Sequence, residues 1–175
     1  MDAQFEKIIL QKDESFFIGV FQDNLEKSTW HYHNNYELSF ITEGVGKRIV
    51  ADSIEEFHPG DLIFIGRNLP HVWIADKEPF GLSNRTLESV FLQFNKDIFG
   101  NHLLALPEFK YVAKALLLSE RGVKIPDNIT NEISELLLQM PYLKPFERMI
   151  HFFRILDIIG HCKNLIPLAS EDYIK

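Results

Sequence analysis

Three histidines and one glutamate lie in the first half of the chain at spacings that suit a metal site. His31, His33 and Glu37 occupy odd positions of one strand-like stretch, so a regular strand would direct all three to the same face. His71 follows a later apolar stretch and would join them if the two strands pair. Three imidazoles and one carboxylate suit iron, manganese, nickel or zinc. The alternative is a pocket in which the four side chains hydrogen-bond to each other or to an effector.

The elements that must position these residues are short strands, indicated by apolar and β-branched runs between turn residues. The predicted strands cover residues 8–10, 16–21, 31–40, 47–51, 54–57, 62–65, 70–75 and 88–94. Pro59–Gly60 predicts a type II turn, and Asn34–Asn35 could carry a bulge that breaks the alternation of faces. Polar loops are predicted at 22–28 and 76–85. Many short strands broken by turns indicate a sandwich or a barrel.

Parity along the strands also selects candidates for the wall of a pocket. Trp73 shares the parity of His71 and could stack on a ring-shaped ligand, whereas Tyr36 opposes Glu37 and is predicted to lie in the core. Gln93 is the polar member of the last strand and is predicted to face the barrel interior. The predicted ligand-binding residues are His31, His33, Glu37, His71, Trp73 and Gln93. The first four are also the candidate metal ligands, and no catalytic residue is assigned.

The second half of the chain changes to helical patterns. Pro107 suits the first turn of a helix that ends before Gly122, and a second helix is predicted from Pro126 to about Met140. A third helix is predicted over about 146–161. Its apolar arc is wider than packing on one barrel needs, so one stripe is predicted to contact a partner. A buried helix in a monomer is the alternative. The predicted dimer face is Phe152, Phe153, Leu156 and Ile159.

The spacing of the metal-type residues resembles the first cupin motif. His31-x-His33-x-x-x-Glu37, followed by Gly44, matches that motif in residue type and spacing. Residues 60–71 are similar to the second cupin motif, although its usual Pro-x-Gly-x-x-His is replaced here by Gly-Arg-Asn-Leu-Pro-His. The resemblance implies a mainly β fold with α, in which a cupin-like β-barrel (jelly roll) is followed by a C-terminal helical segment.

The chain is also similar to the sensor half of AraC-type transcription regulators. Tyr-Glu-Leu at 36–38 and Pro-Gly-Asp at 59–61, with Pro-His-Val-Trp at 70–73, carry this resemblance. The last two helices match the pair that such regulators use to dimerise. The resemblance implies a cupin-like barrel sensor over 1–98, a helical dimerisation segment over 99–166, and over 167–175 the start of a linker to a missing DNA-binding domain.

The function implied by the resemblance is effector sensing and homodimerisation in a DNA-binding transcriptional regulator. A small-molecule effector, sugar-like by resemblance, would bind in the barrel. AraC-type sensors generally keep the cupin frame without a catalytic metal, so no cofactor is expected and a divalent transition metal is the alternative. The four ligand-type residues keep a second function open, a metal-dependent cupin enzyme of the dioxygenase or isomerase type.

Composition and charge limit the partners and the compartment. The 175 residues carry a formal net charge of −7 and contain no pair of helix-turn-helix units, so DNA would be contacted only through the missing domain. Apolar residues make up 46% of the chain, which is enough for a packed core. Cys162 is the single cysteine, so no internal disulfide is expected. The chain lacks a signal-peptide pattern and an apolar run of membrane length, so a cytoplasmic location is expected.

Overall fold

Two β-sheets, three α-helices and several short 3-10 helices make up the part of the chain that the computed structural model describes, residues 2–10, 13–23, 29–76 and 87–173. The strands there are β1 (Gln4–Phe5), β2 (Phe16–Asp23), β3 (His31–Tyr32), β4 (Tyr36–Glu43), β5 (Gly46–Val50), β6 (Ser53–Phe57), β7 (Leu62–Ile65), β8 (His71–Ala75), β9 (Leu87–Phe94), β10 (Val123–Lys124) and β11 (Ile166–Pro167). The α-helices are α1 (Lys110–Leu118), α2 (Asp127–Gln139) and α3 (Pro145–His161).

The two sheets pack face to face as a barrel-like sandwich. One sheet has the order β1-β3-β8-β5-β6, and the other has the order β11-β10-β7-β4-β9-β2. The paired strands are antiparallel except β1 and β3, which are parallel. Side chains from both sheets form one core between them, with Val50, Phe57 and Trp73 from the first sheet against Ile41 and Ile63 from the second.

The six-stranded sheet is covered on both faces, and the alternation of side chains decides which residue meets which layer. Along β4, Leu38 packs in the core shared with the helices, while Ile41 lies in the core between the sheets. Along β9, Leu92 and Phe94 join the helical core. Phe152 of α3 packs edge-to-face against this sheet, with its ring centroid 4.8 Å from that of Phe94. The central strands β4, β7 and β9 therefore separate the barrel interior from the helical layer.

Close packing holds the helices together at the crossing of α1 and α3. A Cβ built on Gly160 would come 1.9 Å from the carbonyl oxygen of Tyr111, so only glycine fits there. α3 begins with Pro145 in its first turn, and the backbone N–H of Lys144 donates to the Glu147 carboxylate at 3.2 Å. These local signals explain why the helix begins at this residue.

Most of the predicted elements are confirmed within one or two residues, but one strand is wrong and one is divided. The run Ile8–Leu10 is not a strand, and the N-terminal strand is instead Gln4–Phe5. The stretch predicted as one strand over 31–40 is broken at residues 33–35, so that β3 and β4 belong to different sheets. The type II turn is supported by a φ of 98° at Gly60. The predicted loops at 22–28 and 76–85 lie almost wholly outside the described residues.

The helical segment and the start of the predicted linker return to the barrel. β10 pairs with β7 and β11 pairs with β10, so both extend the six-stranded sheet. Leu168 and Ala169 are buried, and their N–H groups donate to the carbonyls of Gly122 and Arg121 at 2.9 and 2.8 Å. The division into three segments stays a prediction, but residues 166–169 are packed on the barrel.

The predicted dimer stripe on α3 needs correction. Phe152, Leu156 and Ile159 are fully buried in the chain's own core, and Phe153 is half-buried against it. This stripe of α3 is covered by the barrel sheet and by α1 and α2, so three of these four side chains are not available to a partner.

Candidate functional site

The predicted metal-type residues converge at one end of the barrel. His31 on β3 lies directly opposite His71 on β8 in the strand register, and His33 follows β3. One ring nitrogen from each of the three histidines lies within 4.8 Å of the others. Glu37 enters from β4 in the other sheet, so the break at residues 33–35 carries the chain around the site. The structure therefore brings together all four predicted residues.

Each of the three imidazoles is oriented by a hydrogen bond to the main chain. The Nδ1 atoms of His31, His33 and His71 lie 2.8, 3.0 and 2.8 Å from carbonyl oxygens. Those carbonyls belong to Thr29, Asn35 and Leu69. A carbonyl only accepts, so each Nδ1 carries the hydrogen and donates it. The Nε2 atom of each ring is therefore the one left to bind a proton or a cation.

Glu37 is the buried anion of the site. Its Oε2 accepts hydrogen bonds from His33 Nε2 at 3.0 Å and from Gln93 Nε2 at 2.7 Å. Burial by itself would raise the pKa of this carboxyl, but the hydrogen bond from His33, the charges of His71 and His33, and the hydrogen bond from Gln93 lower it to about 2. Burial likewise opposes protonation of His33, yet Glu37 outweighs it, so the net pKa of His33 is raised. His33 and Glu37 thus form a buried ion pair.

His71 is buried and neutral, and its Nε2 has no hydrogen-bond partner. The nearest carboxylate oxygen, Glu37 Oε2, is 3.9 Å away. Burial lowers the pKa of His71 to about 4, against the opposing attraction of Glu37. An unpaired acceptor in a buried position is uncommon and calls for an explanation. A divalent cation supplies one, because metal-bound histidines usually donate their other ring nitrogen to a carbonyl or carboxylate, as all three do here. The residues present therefore fit such an ion.

A cavity of about 300 Å³ opens beside the histidines, inside the barrel. Of the predicted ligand-binding residues, His31, Glu37, Trp73 and Gln93 line it, whereas His33 and His71 are buried next to it. Trp73 Nε1 is a buried donor with no partner. The further lining residues are Glu6, Ile8, Ile9, Phe17, Phe21, Thr29, Ser39, Val72, Leu87, Ser89 and Phe91. The walls are mainly aromatic and aliphatic. Tyr36 lies in the helical core, as predicted.

Some of these lining residues could have been found from the sequence, and others could not. Ser39 shares the parity of Glu37, and Ser89 and Phe91 share that of Gln93, so strict alternation along β4 and β9 indicates them. Glu6 carries no such signal. Its Oε2 lies 3.1 Å from His31 Nε2 only because β1 pairs with β3.

Comparisons with known proteins agree with the barrel. A family model described as a cupin domain matches residues 20–81. A search of curated protein sequences found no match. A cupin 2 conserved barrel domain protein from Salinispora arenicola is 13% identical, with a TM-score of 0.40 over 53% of this chain and 73% of its own. The match to this family model and the two packed sheets show a cupin-like β-barrel, followed by a helical segment.

Two transcription regulators match a larger share of this chain, also at low sequence identity. The AraC-like transcriptional activator CuxR is 12% identical, with a TM-score of 0.51 over 79% of this chain and 45% of its own. ToxT from Vibrio cholerae, in a structure with a bound unsaturated fatty acid, is 12% identical, with a TM-score of 0.50 over 87% of this chain and 55% of its own. The chain thus spans about half the length of each regulator and shares the fold of the part that it matches. Among the described residues, no helix has the length and apolar character needed to cross a membrane.

Proposed function

We propose that this chain is the effector-sensing and dimerisation domain of a DNA-binding transcriptional regulator. The observation that carries the proposal is the two-sided role of β4 and β9. Glu37 and Gln93 line the cavity, whereas the adjacent Leu38 and Leu92 pack in the helical core. An effector that contacts Glu37 or Gln93 would therefore be separated from the helical core by the thickness of one strand. Regulation requires that the effector bind two arrangements of the attached domains with different affinity. Because β4 and β9 contact both the cavity and the helices, they would transmit effector binding to the helical segment.

The effector class that fits the cavity is an uncharged molecule with an apolar body and hydroxyl or carbonyl groups. Aromatic side chains such as Phe17 and Phe91 would contact the body, and the N–H of Trp73 needs an acceptor. The two lining carboxylates, Glu6 and Glu37, each already contact a histidine. In the described part of the wall no lysine or arginine is present, so a carboxylate ligand such as the fatty acid of ToxT would meet no unpaired cation. A sugar-like ring belongs to the class that fits.

Filling the cavity tests where the effector binds. A panel of neutral sugars, aromatic alcohols and carboxylates is screened by thermal shift, because a ligand that binds only the folded state raises the melting temperature. We expect neutral compounds to raise it and the variant Ser89→Leu to lose that response. Ser53→Leu on β6, away from the cavity, is the matched control. Binding of carboxylates alone, or an undiminished response in Ser89→Leu, would contradict the proposed effector class.

The homodimer in this proposal uses the exposed side of α3 and of the turn before it. Phe146 and Ile150 are 77% and 53% exposed, and Tyr142 is 89% exposed. Large apolar side chains grouped in this way commonly mark an interface. This side of α3 replaces the buried stripe as the proposed partner surface.

The regulatory part of the proposal is tested by reading the gene past the codon for Lys175. We expect the frame to continue for roughly another hundred residues into a basic, helix-rich segment with two helix-turn-helix patterns. A stop codon directly after Lys175 would remove the DNA-binding output and refute this part of the proposal. That outcome would leave the effector-binding experiment unaffected.

A metal-dependent cupin enzyme is the second candidate, and the three main-chain-anchored imidazoles favour it. His31, His33 and His71, with Glu37, would hold the ion. A bound transition metal supplies a Lewis acid or a redox centre when one coordination position stays open. Gln93 would orient Glu37, and the apolar walls of the cavity would exclude water from a substrate. Metal content after purification without chelators tests this candidate. A metal-free protein that still binds small molecules would exclude it.

A further inference from the structure

We propose that Glu6, which directly follows the N-terminal strand β1, is an additional carboxylate ligand of a divalent cation held by His31, His33 and His71. Cation occupancy would then tie the N-terminal segment to the barrel. The proposal goes beyond the cupin motif, whose carboxylate here is Glu37, and it does not depend on the proposed regulatory function.

Glu6 contacts His31 at Nε2, the ring nitrogen that would bind a cation. His31 Nδ1 is occupied by the carbonyl of Thr29 at 2.8 Å, so Nε2 is its ligand atom. Glu6 Oε2 lies 3.1 Å from that Nε2. A carboxylate oxygen in hydrogen-bond contact with a coordinating nitrogen is placed to enter the same coordination shell when a cation replaces the shared proton.

Glu37 contacts the Nε2 atom of His33 in the same way, so two of the three histidines have a carboxylate beside the nitrogen that would bind the cation. Its Oε2 lies 3.0 Å from His33 Nε2, and His33 Nδ1 is likewise held by a carbonyl. The third ring, His71, presents an unpaired, buried Nε2 to the same space. The three imidazole nitrogens lie within 4.8 Å of one another, and each of the two carboxylates contacts one of them, Glu6 at His31 and Glu37 at His33. Imidazole and carboxylate ligands suit zinc, iron, manganese or nickel.

The main chain holds Glu6 at this position through β1. The N–H of Gln4 donates to the carbonyl of Trp30 at 3.0 Å, and the N–H of Glu6 donates to the carbonyl of Tyr32 at 2.9 Å. The strand is only two residues long, and the Glu6 side chain is 52% exposed, so its ion pair with His31 alone contributes little. A metal–oxygen bond would add a stronger anchor. Ile8 and Ile9, which follow Glu6, line the cavity, so the same anchor would hold one of its walls.

Zinc affinity measured by competition with a chromophoric chelator is the first test. Glu6→Gln keeps the size of the side chain and removes its charge. Glu56→Gln, at an exposed position of β6, removes the same charge elsewhere. We expect Glu6→Gln to weaken zinc binding at least about tenfold, as losses around metal sites commonly do, and Glu56→Gln to leave it unchanged. His31→Gln is the reference for loss of a ligand.

Hydrogen exchange of residues 4–6 is the second test, because it follows the docking of β1 rather than charge. At saturating zinc we expect slower exchange of the Glu6 N–H in the wild type and no slowing in Glu6→Gln. If both proteins bind zinc equally and exchange is unchanged, Glu6 is an ion-pair partner of His31 only and the proposal is refuted. A wild-type chain that binds neither zinc nor cobalt, nickel or manganese refutes it as well.

Discussion

Acidification should destabilise the protein through His71, and the structure sets both the direction and the size of the effect. Burial lowers the pKa of His71 to about 4 in the folded chain, against an ordinary value of 6.5. Between these two values the unfolded chain binds a proton that the folded chain does not, so the free energy of unfolding falls as the pH is lowered through this window. The whole window corresponds to about 3 kcal/mol, and the step from pH 7 to pH 5 corresponds to about 2 kcal/mol.

The titratable groups around His71 change the free energy of unfolding with pH in different directions, so their contributions must be separated from that of His71. Glu37, His31 and His33 face His71 and influence its protonation. The raised pKa of His33 contributes stability that is present below pH 6.5 and is lost as the pH rises through its folded value. The lowered pKa of Glu37 contributes stability that is lost only as the pH falls from 4.5 towards about 2. Comparison with a variant that lacks only His71 therefore isolates its contribution.

Urea unfolding at pH 7, 6 and 5, with a chelator present to remove metal, measures this contribution. We expect the wild type to lose about 2 kcal/mol more than His71→Asn between pH 7 and pH 5. His58→Asn, at an exposed position, is the control and should follow the wild type. Equal pH dependence of the wild type and His71→Asn would refute a buried neutral histidine at this site.

Three further predictions concern packing and assembly. Leu92→Ala removes a fully buried side chain between the barrel sheet and the helices, so urea unfolding should show a loss of about 2–5 kcal/mol. Gly160→Ala forces a Cβ against the backbone of Tyr111, and a loss of about 1–3 kcal/mol or more is expected in the same assay; an unchanged value would contradict the close crossing of α1 and α3. Phe146→Asp should give a folded monomer by sedimentation, whereas Leu156→Asp should unfold the chain because Leu156 is buried; a dimer that survives Phe146→Asp would exclude the exposed side of α3 as the interface.

Local sequence patterns were sufficient for most of the strands and for the three helices. The apolar run Leu62–Ile65 and the helical spacing within Asp127–Gln139 are set by neighbouring residues, so they can be recognised without a partner. The run at Ile8–Leu10 has the same appearance and forms no strand. A strand exists only when another strand is available to pair with it, and a short apolar run does not carry that information.

The width of an apolar stripe on a helix was a poor guide to a partner. The arc of α3 suggested a second interface, but Phe152 and Leu156 are buried by the sheet and by the other helices of the same chain. The number of surfaces that cover a helix depends on where the helices are placed around the barrel. Helical periodicity shows which apolar side chains share a face, and packing decides which of them are buried within the chain.

The sequence by itself determined the ligand-type residues and the alternation that directs Glu37 and Gln93 into the barrel, because the two-residue period of a strand is a local property. Only the tertiary structure decided that His71 is neutral, that Glu37 is anionic beside His33, and that Glu6 reaches His31. Protonation depends on burial and on charges brought close by folding. The contact between Glu6 and His31 depends on the pairing of β1 with β3. Both are long-range consequences of the fold, and the order of residues along the chain does not show them.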